Sequence, residues 1–207
     1  MRALAARREQ DEDPVRLRIS RLTWHRMIRE LRLRGDGSRE SGAFLLASST
    51  IHADSTSAPT VRRVVYYDDL DPACLTGGIT LAGHAYDTLW QICAESRLFV
   101  VADIHTHPLR WVDQSPMDAA NPMIGIPGHL ALIIPRFAVS PVNISEVGVH
   151  VYEGRHLWQR LQQSNRGPIL VTLFANLGWW HVSRNAACRL ASWGCARARS
   201  LVQWRKQ

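Results

Sequence analysis

At 207 residues the chain is long enough for one well-buried core with an appendage, and 46% hydrophobic with 21% charged residues is a globular composition that argues against a disordered or membrane-embedded protein. Its net charge of +7 is uneven: residues 1–34 carry ten Arg against five acids, residues 35–167 nine Arg against thirteen acids, and residues 168–207 five Arg and one Lys against none. An Arg-rich solvated surface accounts for the basic ends, and neither nucleic acid nor membrane is expected as a partner.

Residues 1–14 (MRALAARREQDEDP) are polar and expected to fray. VRLRIS at 15–20 alternates as a half-buried strand does. LTWHRMIRELRLRG at 22–35 spaces Leu22, Trp24, Met27, Ile28 and Leu31 for a helix ending at Gly35. RESGAFLLASST at 39–50 reads as a strand entering the core, residues 51–59 as a loop, and TVRRVVYYDD at 60–69 as the returning strand of a hairpin. ITLAGHAYDTLWQICAESR at 79–97 predicts a helix with Leu81, Ala85, Leu89, Ile92 and Cys93 on one face. LFVVADIHTH, HLALIIP at 129–135 and VGVHVYE at 147–153 are further strands, and GRHLWQRLQ is a strand or a short helix.

The class is α/β or α+β, a mixed β-sheet flanked by helices. QQSNRGP ends this domain near residue 165, so the expected division is a flexible 1–14, a domain over 15–165 and a basic extension over 166–207. In the extension an uncharged tract at 167–183 precedes a basic amphipathic helix, expected to pack on the domain or on a partner. Four scattered cysteines without a CxxC pair, and no visible secretory signal, suit a reducing cytoplasm.

The chemistry concentrates in VVADIHTHPLRWVDQSPMD, residues 100–118. On a strand, i and i+2 face the same way, so His105 and His107 offer two imidazoles side by side, and Pro108 stops the strand just beyond them. Asp118 follows after a loop, at a helical turn begun by SPMD. Two nitrogens and a carboxylate form a catalytic zinc set with a fourth position open to water, whose ionisation the ion would bring near neutral pH. Glu40, before an apolar strand, is the candidate general base. Ser115, three residues before Asp118, is the candidate donor to a developing oxyanion. Asp103 shares the face of His105 and either orients it or is an ordinary surface or network carboxylate. Trp111 lies in the loop between ligands, where it holds a substrate tail or pins the loop. The other histidines, His25, His52, His84, His129, His150, His156 and His181, are isolated and without ligand spacing.

Glu40, then HTH at 105–107, seven residues, Ser115, two residues and Asp118 resemble the JAMM (JAB/MPN-plus) metalloprotease signature, E…H[ST]Hx7SxxD. The resemblance spans about residues 15–165 and includes the strand ESGAFLL, Pro108 and HLALIIPRFA. It implies a cytidine-deaminase-like JAB/MPN fold with one Zn2+ per chain on His105, His107 and Asp118, Glu40 as base and Ser115 as oxyanion helper. The implied activity is a zinc isopeptidase, or deubiquitinase-like hydrolase, acting on the C-terminal tail of a ubiquitin-like protein or its conjugate. The short build resembles bacterial JAB peptidases found beside ubiquitin-like proteins and their E1- and E2-like ligases, which implies a conjugation system of the antiviral-defence kind. The alternatives are a zinc hydrolase releasing a small amine or peptide from a sulfur-carrier protein, and a non-catalytic MPN scaffold.

Overall fold

A computed structural model describes residues 13–48, 58–75 and 78–173. The expectations for residues 1–12, for the loop at 51–57 and for the extension from residue 174 onward lie outside the described residues.

Strand β1 (Leu17–Ser20) runs into helix α1 (Arg21–Arg34), whose first turn is capped by the Ser20 side chain accepting from the Thr23 N–H. Strands β2 (Gly42–Ser48) and β3 (Val61–Tyr66) form the expected hairpin. The tail of the predicted returning strand is instead a helical turn, α2 (Tyr67–Leu70). Asp68 and Asp69 start that turn, and the Arg34 guanidinium grips both carboxylates at 2.7 and 2.8 Å while lying over the Tyr66 ring. Helix α3 (Gly83–Ser96) begins four residues later than its periodicity suggested. Asp71 accepts from the Ala82 N–H and keeps the preceding stretch out of the helix, so Leu81 packs from outside it.

Strand β4 (Leu98–Thr106), helix α4 (Pro116–Ala120), β5 (Leu130–Ile134), β6 (Gly148–Gly154) and β7 (Leu157–Leu161) follow, so GRHLWQRLQ forms a strand. A six-stranded mixed sheet has the order β3-β2-β4-β5-β6-β7, with only β4 and β5 parallel. One face packs on α1 through Trp24, Met27 and Leu31. The other packs on α2 and α3 through Tyr67, Leu70, Ala85 and Leu89. The protein is therefore mixed α/β, with a mixed sheet flanked by helices.

The expected boundary at 165 falls too early. Strand β8 (Ile169–Thr172) pairs in parallel with β1, Leu17 opposite Ile169 and Ser20 opposite Thr172, and Ile169 is fully buried in the core. The turn residues of QQSNRGP connect two strands of one unit; the apolar tract after them supplies β8 before it leaves the described region. Among the described residues no helix is long and apolar enough to cross a membrane.

Candidate metal centre

Parallel strands need a long crossover. The one between β4 and β5 carries Trp111, Ser115 and Asp118, so these residues gather at the carboxyl end of β4 beside His105 and His107. His107 lies one residue beyond β4, yet its N–H still donates to the Ile134 carbonyl at 2.8 Å and its carbonyl accepts from the Phe137 N–H. The ring therefore stays beside that of His105, centroids 5.0 Å apart.

The Nε2 atoms of His105 and His107 are 3.1 Å apart, and Asp118 Oδ2 stands 3.3 Å from His107 Nε2 and 3.8 Å from His105 Nε2. Two ligand atoms of a tetrahedral zinc at about 2.0–2.2 Å are roughly 3.3–3.6 Å apart. This His–His–Asp group can hold a metal ion. The other nitrogen of each ring faces an acceptor, within hydrogen-bond distance at His107 only. His107 Nδ1 faces the Trp111 carbonyl at 3.2 Å, and His105 Nδ1 faces Asp103 Oδ2 at 3.9 Å. Such contacts select the tautomer that leaves Nε2 for a metal.

Burial alone would push the His105 imidazole down, but the Asp103 and Asp118 carboxylates outweigh it and hold the ring up to about 9. Burial raises the Asp118 carboxyl; the two histidines and the Ser115 contact reverse this and place it far below the usual carboxylate range. Asp103 is likewise lowered by His105 and His129 against a large desolvation cost. A cation binding here displaces a proton.

Ser115 Oγ accepts from the Asp118 N–H at 3.1 Å, and Asp118 Oδ2 accepts from the Ser115 N–H at 2.9 Å, a reciprocal cap on α4. The Ser115 N–H thus anchors the Asp118 carboxylate, while the Ser115 Oγ takes the Asp118 N–H with a lone pair and can still donate its own O–H. Glu40 precedes β2 by two residues, where the Ser41–Thr106 backbone and hydroxyl bonds of 2.9 and 3.0 Å fix the chain. It is half-buried and lines the same ≈ 300 Å³ cleft as His105, Ser115 and Asp118. Trp111 pins the site in a way that neither sequence alternative specified: its ring stacks on His107 at 5.4 Å and 20° while its carbonyl holds Nδ1.

Sequence reasoning missed the supports. Val112 O accepts from His150 Nε2–H at 3.0 Å, Asp113 pairs with Arg160, and Trp158 Nε1–H donates to Ala119 O. Gly148 is required beside this loop, since a Cβ there would lie 2.0 Å from Val112 O. Gln114 lines the cleft with a buried Oε1 that has no hydrogen-bond partner among the described residues. The buried His129 meets Asp103 at 2.7 Å. The one signal for it was period-two spacing along β5, which puts residue 129 on the face of Ala131, itself opposite Asp103.

No protein-family model matches the chain. A solved structure with a similar backbone is that of protein DSY2949 from Desulfitobacterium hafniense, determined in solution. It is 12% identical, with a TM-score of 0.54, over 78% of this chain and 97% of that one. A Salinibacter ruber protein, also solved in solution, aligns over 78% of this chain and 93% of that one, with 14% identity and a TM-score of 0.48. At such identities the first likeness bears on fold alone.

Proposed function

We propose that the chain is a zinc-dependent isopeptidase of the JAMM type, with a cytidine-deaminase-like JAB/MPN fold, acting in the cytoplasm on the C-terminal tail of a ubiquitin-like protein. The observation that carries this reading is the convergence of His105 Nε2, His107 Nε2 and Asp118 Oδ2 within 3.1–3.8 Å on a cleft that Glu40 and Ser115 also line. Two imidazoles and one carboxylate suit zinc with an open position better than they suit a closed structural site, which draws on four protein ligands.

Zinc bound to this set would supply Lewis-acid activation of water and of the scissile carbonyl. The chain supplies the rest. His105, His107 and Asp118 hold the ion, two of them oriented by Asp103 and the Trp111 carbonyl. Glu40 accepts the proton of the attacking water and returns it to the leaving amine. The Ser115 hydroxyl donates to the oxygen on which charge develops. Both roles require an extended substrate in fixed register, because a displacement of about 1 Å can cost a hundredfold. A glycine at the residue giving up the carbonyl meets that requirement best, and a lysine side chain or a chain N-terminus leaves on the amine side.

The test uses the purified full chain. Metal analysis should find about one zinc per chain, as one catalytic site requires. Fusions of a flexible-tailed ubiquitin-like protein, with Gly, Ala, Val or Phe at the carbonyl residue, should be cleaved in falling order. Equal cleavage of the Gly and Phe members points to a general peptidase. Zinc without any cleavage, or cleavage confined to small amides, favours the scaffold and sulfur-carrier readings respectively.

A further inference from the structure

Asp103 is 2% exposed, and a buried carboxylate is tolerated only where donors replace its water. Among the described residues its polar contacts are His129 Nε2 at 2.7 Å on Oδ1, and the Tyr67 hydroxyl at 3.4 Å and His105 Nδ1 at 3.9 Å on Oδ2. Only the first distance is that of a strong, charge-assisted bond. The terminal torsion of an aspartate is soft, so the His129 bond decides which way the carboxylate plane faces. With Oδ1 held, Oδ2 is turned toward the metal ligand.

His129 is itself placed without help from its ring. Its N–H donates to Ile126 O at 3.0 Å and its carbonyl accepts from the Tyr152 N–H at 2.9 Å. His129 lines a ≈ 540 Å³ cavity whose other lining residues are largely apolar, among them Trp90, Phe99 and Leu130. An apolar residue would fill that position at no desolvation cost. A buried imidazole there is accounted for by its bond to Asp103.

We infer that His129 is a positioning residue for the metal ligand His105, acting through Asp103. The inference rests on the metal reading of His105, His107 and Asp118. His129 Nε2–H fixes the carboxylate, the carboxylate takes the His105 Nδ1–H, and His105 Nε2 is left aimed at the ion. His107 is served by a carbonyl, a weaker acceptor; the carboxylate makes His105 the more basic of the two ligands.

The test compares the wild-type chain with His129→Phe, which keeps bulk and loses the donor, and His129→Gln, which keeps a donor near Nε2. Zinc affinity is read by competition with a chromophoric chelator, and site geometry by the visible absorption of the cobalt(II) form. His129→Phe should bind zinc about 10–100-fold more weakly with shifted cobalt bands, and His129→Gln should restore most of both. Phe and Gln variants that both match wild type would overturn the inference. Ring ¹⁵N spectra of the zinc-loaded wild-type chain keep it testable if the Phe variant does not fold. They should show His129 protonated at Nε2 and His105 at Nδ1; a His129 bearing its proton at Nδ1 cannot donate to Asp103, and the inference falls. A wild-type chain that binds neither ion removes the metal reading itself, whereas normal wild-type binding with indifferent variants removes the positioning role alone.

Discussion

Strand β4 carries two unlike faces one residue out of phase. Ala102 and Ile104 point into the cluster built on α1, where they meet Leu45, Leu130 and Leu132, all essentially without solvent. Asp103 and His105 point the other way and are as deeply buried, but among titratable groups. Burying an apolar side chain contributes roughly 1.5–3 kcal/mol, whereas a buried charged pair breaks even at best against apolar substitutes of the same shape. The first face holds the strand in place. The second is held in place by it, and brings His105 to the group it forms with His107 and Asp118.

The largest effect is expected where the polar face loses its ligands. The double variant His105→Ala/His107→Ala should fall from about one zinc per chain to none and lose hydrolysis to background. Its thermal midpoint without metal should fall, because the Asp103 and Asp118 carboxylates lose the imidazoles that face them. A double variant that keeps full zinc would refute the ligand assignment. Next is Glu40→Gln, which preserves shape and cleft lining but cannot take a proton. Turnover should drop by about 10²–10⁴-fold, with zinc content and melting unchanged. Near-normal turnover would place the base elsewhere.

The apolar face should answer in the opposite currency. Ile104→Ala should cost about 2–5 kcal/mol of stability, seen as a lower denaturant midpoint, while the folded fraction binds zinc within a few-fold of wild type. A selective loss of zinc at unchanged stability would mean that the two faces are not separable.

The same contrast explains what could be read from the sequence. The helices, the hairpin and the central strands follow from apolar periodicity, which is a local property of Trp24, Met27, Leu31 or of the run around Ile104. The grouping of His105, His107 and Asp118 was legible because the two histidines obey a strand's period of two and Asp118 sits at a turn that SPMD announces. Supports that cross the sheet were not legible. His129 reaches Asp103 only through the parallel register of β4 and β5, and His150 reaches Val112 across 38 residues. Ile169–Thr172 joined the domain by pairing with β1 from the far end of the chain. Each is a long-range pairing whose partner the spacing does not name; at His129 the period of two along β5 gave the face and not the partner. The helical turn at Tyr67–Leu70 was misread for a related reason: β-favouring tyrosines lead into it, but the Arg34 clamp on Asp68 and Asp69 decides its shape.

The smallest expected effect concerns the loop that bridges the polar face to β6. His150 is 4% exposed and donates through Nε2–H to the Val112 carbonyl, so it tethers the crossover on which Trp111, Ser115 and Asp118 ride. Burial is the largest influence on its imidazole and pushes it below the ordinary histidine value. The Val112 bond and Asp113 oppose that shift, and the Arg160 and His105 charges reinforce it. The sign of the linkage follows. A histidine whose folded pKa is depressed is neutral in the folded protein, while the unfolded chain still takes up a proton near pH 6.5. Its contribution to stability is therefore complete above about pH 6.5 and is lost as pH falls from there through the depressed value. His150→Gln keeps a donor toward Val112 but cannot titrate. Thermal midpoints of wild type and His150→Gln, measured from pH 8 down to 5.5, should keep a constant gap at the alkaline end. The gap should then move in favour of the variant at the acid end, because only wild type pays for the neutral ring. Taking the difference between the two proteins cancels the opposite trend from His105, whose raised value favours the folded state below neutral pH and fades as pH climbs through about 9. A gap that is flat across the whole range would show that His150 titrates alike in both states, and that its tether to the loop is not the desolvated contact described.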